Sequence, residues 1–442
     1  MKTIAALNHA LTTAPLDAAL HRDMAEARRL QGDLFTAQVH AIAAGALELH
    51  AGQPPSRQAD ELCTTATAYF TNADYKIAAT LYRLVLAIAP DMAVPYMNLA
   101  AMCASAGLQQ EADACRQAAY RIQRVFIEQD GHSARRVLIL NVGRNSGNVP
   151  IEVMMPTTRW CRIKYIIDYG TEVEDAQLPA YDLVFNAIGE PDAATALSRR
   201  LERFADRCGR PVLNPPAMVP RTRRHLMAAL FSGLDDVVVA TCVRHEDGAS
   251  GVAGSLAAGG LAFPLLVRAA ASHGGASLQR CETIAELEGR LQATQGAHYL
   301  TAYHDYRSAD GHFRKYRFLF IDRQPYPYHL AISSSWMVHY FSAHMQAAPW
   351  KCAEEQRFLD DPAAALGRRA MDAIAAIGRR IDLDYAGIDC TLLADGSVFV
   401  FEANASILVH HEPADSVLTY KNRHVQRIVD AFQQMLERRL AG

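Results

Sequence analysis

Residues 384–404 read Asp-Tyr-Ala-Gly-Ile-Asp, then Cys-Thr-Leu-Leu-Ala-Asp-Gly-Ser, then Val-Phe-Val-Phe-Glu-Ala-Asn. Two apolar runs flank Asp395-Gly396, the signature of a two-residue β-hairpin turn. With those residues in the turn, Ala394 pairs with Ser397, and counting outward sets Asp389 directly opposite Glu402. Side chains alternate faces, so Asn404 shares the face of Glu402, and Gly387 opposite Asn404 leaves room there. Two carboxylates about 5 Å apart repel by roughly 3 kcal/mol at an effective dielectric near 20. Phe399, Val400 and Phe401 make this a poor strand to leave in water, so the repulsion calls for a counter-charge. Asp389, Glu402 and Asn404 form a hard-oxygen set suited to Mg²⁺, completed by phosphate oxygens and water. A hairpin with its polar face in solvent, or one protonated carboxyl, is the plain alternative.

The rest of the chain narrows the classes open to it. At 442 residues it exceeds one ordinary core. A net charge of −3 provides no basic field for nucleic acid. Nine scattered cysteines, with no CxxC, suggest reduced thiols rather than disulfides or a zinc site. No run of 18 uncharged apolar residues offers a membrane span, and polar residues from Asn8 to Asp17 break any signal-peptide pattern. The expectation is a cytoplasmic protein.

Residues 1–128 are rich in Ala and Leu at helical spacing and carry almost no strand signal. Phe35, Tyr69 and Cys103 lie 34 apart, as do Gly32, Ala66 and Ala100, and Ala44, Ala78 and Ala112. This resembles the tetratricopeptide repeat, with Tyr96 where the repeat favours Trp and Cys103 where it favours Tyr. About three helix pairs are expected, either as a cap on the rest of the chain or as a docking face for a protein or peptide partner.

Strands and helices alternate over residues 135–215. Val137–Leu140, Ile163–Ile167, Leu183–Phe185 and Pro211–Leu213 are strand candidates, with a helical stretch from Ala193 to Cys208. That alternation predicts a small parallel sheet. Arg144 and Asn145 follow its first strand, where such sheets receive ligands; Arg144 suits a substrate carboxylate, and an ordinary polar turn is the alternative for Asn145.

Residues 216–440 hold the remaining chemistry. Phe263–Arg268 is a strand ending in a cation, followed by His273-Gly274-Gly275-Ala276-Ser277, a loop whose backbone N–H groups can approach phosphates. The glycine-rich stretch from Gly248 to Gly260 is a candidate moving part. Downstream, Arg314–Phe320 alternates so that Lys315 and Arg317 share a face. His329 and His410 are loop or strand-end histidines able to orient a substrate or take a proton, although most histidines are structural.

The Gly-x-Asp…Glu-x-Asn hairpin resembles the metal-binding strands of the ATP-grasp superfamily, which includes D-alanine–D-alanine ligase, glutathione synthetase and RimK-type ligases. The resemblance covers roughly residues 135–435. It implies an α/β (α+β) ATP-grasp fold behind a small parallel-sheet domain and an all-α N-terminal domain. It also implies ATP and Mg²⁺ as cofactors, with Asp389, Glu402 and Asn404 as metal ligands. By the same resemblance Arg268 and Arg317 would be catalytic. Arg268, His273, Gly274, Gly275, Ser277, Tyr303, Asp305 and Lys315 would bind nucleotide; Arg144, Asn145, His329 and His410, read from residue type and position, are the substrate candidates. The family usually carries Lys where Arg268 stands, and Arg223 or Arg224 lies nearest the place of its preceding lysine. The implied activity is a ligase joining a small-molecule or peptide carboxylate to an amine through an acyl phosphate, and the resemblance carries the expectation of a homodimer. The alternatives are a carboxylate or small-molecule kinase and a nucleotide-binding scaffold without turnover.

Overall fold

The computed structural model describes residues 3–129, 135–144, 147–246, 251–270, 277–294 and 296–441. His273, Gly274, Gly275 and Asn145 lie outside them. Two compact units emerge, one of residues 1–125 with 143–145, the other of 126–142 with 146–442.

The first unit is helical: α1 Ile4–Thr13, α2 Ala18–Leu30, α3 Leu34–Leu49, α4 Pro55–Thr71, α5 Tyr75–Ile88, α6 Ala93–Ser105 and α7 Gln109–Ile122. Short polar side chains set the helix starts; Asp17 accepts from the N–H groups of Ala19 and Leu20, and Asp33 from that of Thr36. Helices α2 to α7 pair in sequence order, and Ala66, Ala78, Leu81, Tyr82 and Val85 form part of the core between them. The 34-residue period holds for the last two pairs only. Tyr69 and Cys103 each sit two residues before a helix end, and Ala78 and Ala112 each occupy the fourth position of theirs. Phe35 and Ala44 have no such equivalence, because α3 and α5 start at Leu34 and Tyr75, 41 residues apart, whereas α5 and α7 start 34 apart. The loop after α3 and the longer α4 put the first pair out of phase.

The second unit contains three sheets. The first is β1 Val125–Glu128, β2 Arg135–Asn141, β3 Trp160–Ile166, β4 Leu183–Asn186 and β5 Val212–Leu213, in the order β1-β3-β2-β4-β5. Its pairings β2–β3, β2–β4 and β4–β5 are parallel, as the alternation predicts. The short β1 carries no clear strand pattern and escapes the sequence reading. The remaining strands are β6 Val237–Val239, β7 Cys242–His245, β8 Leu265–Ala269, β9 Gln279–Cys281, β10 His298–Ala302, β11 Phe313–Ile321, β12 Gln324–Ser333, β13 Tyr385–Leu392 and β14 Val398–Asn404. They form an antiparallel sheet β7-β10-β8-β9 and a sheet β12-β11-β13-β14-β6, antiparallel except where β14 meets β6. The stretch from Gly251 to Gly259 is a helix.

The parallel sheet and the β11–β14 sheet share one apolar core through the helix Asn422–Ala441. Phe432 on that helix meets Phe185 of β4 edge-on at 5.4 Å and Tyr385 of β13 at 6.0 Å. A buried polar joint fixes the same contact. Asn214 donates its backbone N–H to Asp384 Oδ2 at 2.7 Å, and its Oδ1 accepts from the Tyr385 N–H at 2.7 Å. The end of β5 is thereby tied to the start of β13, the strand that carries Asp389.

Candidate active site

The β13–β14 hairpin brings Gly387 opposite Asn404, Ile388 opposite Ala403 and Asp389 opposite Glu402. The turn itself differs from the sequence expectation. The Leu393 N–H donates to Ser397 O at 2.9 Å, so Ala394, Asp395 and Gly396 form a three-residue loop, with Gly396 at φ +84°. That loop shifts the register by one, and Phe401, an extra residue between Val400 and Glu402, shifts it back. Gly387 does not leave open space either. A Cβ there would lie 2.4 Å from Ile407 Cδ1 and 2.5 Å from the Phe318 carbonyl oxygen, so the glycine admits close packing.

The neighbouring strands extend the row. Arg317 of β11 pairs with Asp389, and His329 of β12 pairs with Arg317. His329, Arg317, Asp389 and Glu402 therefore stand side by side on four adjacent strands. The two outer strands each bulge beside the row, at Tyr328 on β12 and at Phe401 on β14. Bulges of this kind re-aim side chains and cluster near functional sites.

Each carboxylate has its own cations. Arg317 donates Nε to Asp389 Oδ1 at 2.5 Å and Nη2 to Oδ2 at 2.8 Å, and Lys315 Nζ lies 3.0 Å from Oδ2. Glu402 is bound by Arg224. Burial would raise both carboxyl pKa values, but Arg317 and Lys315 hold Asp389 well below the usual range, and Arg224, Lys315 and Arg317 together outweigh burial and the Asp389 charge at Glu402. Both are ionised at neutral pH. Arg268 of β8 is 7% exposed, and burial together with the nearby Arg224 charge pushes its pKa down to about 10, which leaves it protonated. Four cations around two carboxylates give the cluster excess positive charge, the electrostatics of an anion site.

The cluster borders an open cleft lined in part by Thr222, Arg224, Tyr299, Glu402, Asn404 and Ser406. Asn404 Oδ1 accepts from the N–H of Ser406 at 2.7 Å and from its Oγ at 3.0 Å, which fixes the amide's orientation. Among the described residues no group of three His, Cys, Asp or Glu gathers as a metal site. A hard cation would therefore draw on Asp389, Glu402 and the Asn404 amide oxygen, completed by ligand oxygens and water. That set fits Mg²⁺, which keeps few protein ligands.

The other sequence candidates fall in different places. Ser277 accepts the Ala269 N–H at 3.2 Å, which ties its loop to β8. Tyr303 lies edge-on to Trp336 at 5.9 Å beneath the Arg280 guanidinium at 4.1 Å. Asp305 closes a local turn by accepting the Arg307 N–H at 3.0 Å. His410 Nδ1 is 3.1 Å from Tyr328 OH, at the β12 bulge. Arg144 is grouped with the helical unit, 67% exposed and 3.8 Å from Asp113 of α7, so its fork is directed to a protein carboxylate. Arg224, rather than Arg223, reaches Glu402; Arg223 bonds Asp192 at 2.9 Å. Lys421, Tyr340 and Glu355, which enclose His329, carry no motif that points to them.

No family model matches the chain, and no curated protein matches it in sequence. Solved structures do. The D-alanine–D-alanine ligase of Bacillus anthracis complexed with ATP is 13% identical, covering 70% of this chain and 99% of its own, with a TM-score of 0.44. The ATP-grasp ligase PsnB complexed with precursor peptide PsnA2 and AMPPNP is 12% identical, covering 70% and 99%, with a TM-score of 0.41. A RimK-domain ATP-grasp protein from Sphaerobacter thermophilus is 13% identical, covering 70% and 100%, with a TM-score of 0.40. This chain is thus similar to ATP-grasp ligases over about 70% of its length and adds an all-helical N-terminal region. At such scores the likeness carries no chemistry, which rests on the site itself. Among the described residues no helix is long and apolar enough to cross a membrane.

Proposed function

We propose that the chain is an ATP-dependent carboxylate–amine ligase of the ATP-grasp type. The observation that carries the reading is the pair Asp389 and Glu402, ionised and face to face, ringed by Arg224, Arg268, Arg317 and Lys315. Such a cluster has carboxylates for Mg²⁺ and surplus cations for a polyphosphate. Asp389, Glu402 and Asn404 would hold Mg²⁺, which would supply charge neutralisation of the phosphates. Arg268 and Arg317 stabilise charge on the transferring phosphoryl group, and the acid and amine react where these side chains hold them. Tyr303, the 303–305 backbone and the loop ending at Ser277 are the nucleotide's other contacts in this reading. The carboxylate takes the γ-phosphoryl group, ADP leaves, and the amine then displaces phosphate to form an amide.

A scaffold that binds nucleotide without turnover is the second reading. It is favoured by the arginines that already occupy both carboxylates. ADP and phosphate release, screened over paired acids and amines with Mg²⁺-ATP, separates the two. Release that needs an acid and doubles as amide product supports the ligase; an acyl phosphate trapped by hydroxylamine without any amine-dependent product supports a kinase. Nucleotide binding with no release for any pair supports the scaffold.

A further inference from the structure

The row His329–Arg317–Asp389–Glu402 has two chemically different ends, about 14 Å apart at the usual strand spacing. The Glu402 end borders Arg224 and Asn404. The His329 end is enclosed and aromatic. The His329 ring stacks on Tyr340 at 4.5 Å, and Tyr340 is fixed by donating to Glu355 at 3.0 Å and by Lys421 Nζ lying 4.2 Å over its ring. His329 is 5% exposed, yet its Nε2 has no hydrogen-bond partner among the described residues. Buried polar atoms in folded proteins almost always have one. Next to it, Arg317 uses Nε and Nη2 on Asp389, and its Nη1 meets no acceptor among the described residues.

Two polar groups at adjacent row positions thus lack partners among the described residues, and they share one face. Burial, reinforced by the charges of Arg317, Lys421 and Lys315 against that of Asp389, keeps the imidazole neutral. A neutral imidazole donates one N–H and a guanidinium donates several. Arg317, Lys315 and Lys421 are paired with Asp389 and Glu412, so the preference rests on the donors: an imidazole N–H beside a guanidinium N–H suits an anion with two acceptor oxygens and gives an ammonium group no acceptor. The β12 bulge at Tyr328 adjusts the strand at this level.

We propose that Arg317 Nη1 and His329 Nε2–H together bind the carboxylate of the acid substrate, which makes His329 the residue that selects a carboxylate over its neutral amide. This rests on the ligase reading and assigns its acid subsite to the His329 end of the row, leaving the phosphates at the Glu402 end. Lys421 and Tyr340 act through His329, holding the ring in place. The carboxylate oxygen that takes the phosphoryl group then lies beside Arg317, between the two ends.

The test uses the full chain with Mg²⁺ and AMPPNP, and follows histidine ¹⁵N resonances while common α-amino acids and their carboxamides are added in turn. The His329 signal is identified by its absence in His329→Gln. At least one acid is expected to shift the Nε2 signal while its carboxamide does not. Affinity for that acid should fall about tenfold in His329→Leu, the loss of one hydrogen bond to a charged group, and largely return in His329→Gln, which keeps an N–H donor. AMPPNP affinity should be unchanged in both. AMPPNP binding with no acid-specific response at His329, or with acid and amide acting alike, overturns this subsite and leaves the ligase reading standing. A folded protein that binds no AMPPNP overturns the ligase reading, and the subsite with it.

Discussion

Asp389 and Glu402 face each other across β13 and β14, yet each is bound by different cations: Arg317 and Lys315 hold the first, Arg224 the second. Lys315 and Arg317 also draw Glu402 towards its ionised form, so removing any one member weakens the balance of charge around both carboxylates. Asp389, 2% exposed, is the member most dependent on its partners.

Breaking that set from one side should therefore cost more than removing both sides of a pair. Arg317→Met is expected to destabilise the fold by about 3 kcal/mol, because Asp389 is left buried with Lys315 alone. Arg317→Met with Asp389→Leu should cost less than the two single changes added together, since the double change leaves no uncompensated carboxylate. Denaturant unfolding of the four proteins of this cycle gives the coupling, and strict additivity would contradict the ion-pair geometry.

Arg268 presents the opposite balance. It is buried beside Arg224, and its depressed pKa shows that the folded protein disfavours its charge without a ligand. Arg268→Met should leave the melting temperature unchanged or raise it, while weakening Mg²⁺-nucleotide binding by about 10- to 100-fold, the value of one buried charge–phosphate contact. Arg268→Lys should keep most of the affinity. Calorimetric titration with AMPPNP beside a melting curve separates the two effects, and a variant that loses stability but keeps affinity would make Arg268 structural.

The hairpin shows how much of this site was legible in sequence. Asp389 opposite Glu402 followed from counting outward from Asp395-Gly396, and that pair is found. The count took a two-residue turn and no bulge; the three-residue loop and the Phe401 bulge each shift the register by one and cancel at Asp389. Bulges have no local sequence signal, because backbone packing against neighbouring strands decides them. The extension of the row to Arg317 and His329 was out of reach for a similar reason. It depends on the pairing of β11 with β13 and of β11 with β12 across another bulge, which is fixed by the sheet rather than by either strand. That β2, β3 and β4 form a parallel sheet was readable because short apolar runs precede helical stretches; their order in the sheet was not read. The helical period was over-read: small residues recur by chance in Ala-rich helices, so Ala44 matched the spacing without matching the position.

Gly387 should tolerate no side chain. An added Cβ meets the Ile407 side chain and the Phe318 carbonyl at about van der Waals overlap, and the carbonyl belongs to a central strand that cannot retreat. Gly387→Ala is expected to cost about 1–3 kcal/mol. Shortening the other neighbour, in Gly387→Ala with Ile407→Ala, should recover only part of it. Thermal unfolding that leaves Gly387→Ala unchanged would place this stretch of β13 differently.

The helical unit should weaken in acid through one histidine pair. His21 Nε2–H donates to the Pro15 carbonyl at 2.9 Å, so its Nδ1 accepts from His40 Nδ1–H at 2.9 Å. The bond needs His21 neutral, because only then does its Nδ1 keep a lone pair to accept with. Burial lowers both pKa values, His40 to about 4, with Arg28 adding to the effect there and Asp17 and Asp33 opposing it. The unfolded chain protonates His40 near pH 6.5 and the folded one does not until about pH 4, with His21 shifted in the same direction, so stability is full above about pH 7 and falls as pH drops through that window. The loss should be on the order of 2 kcal/mol after allowance for partial exposure. Unfolding curves at pH 7.5 and 4.5 measure it, and His40→Leu should flatten the dependence.

The central claim is that Asp389 and Glu402 hold Mg²⁺ against a nucleotide. Thermal unfolding of the wild type and of Glu402→Gln, each with Mg²⁺ and AMPPNP, tests it most directly. Ligand at about 100 times its dissociation constant should stabilise the wild type by roughly 2.7 kcal/mol, only when Mg²⁺ is present, and the variant should lose that gain. No Mg²⁺-dependent gain in a folded wild type, or an equal gain in Glu402→Gln, would contradict the account.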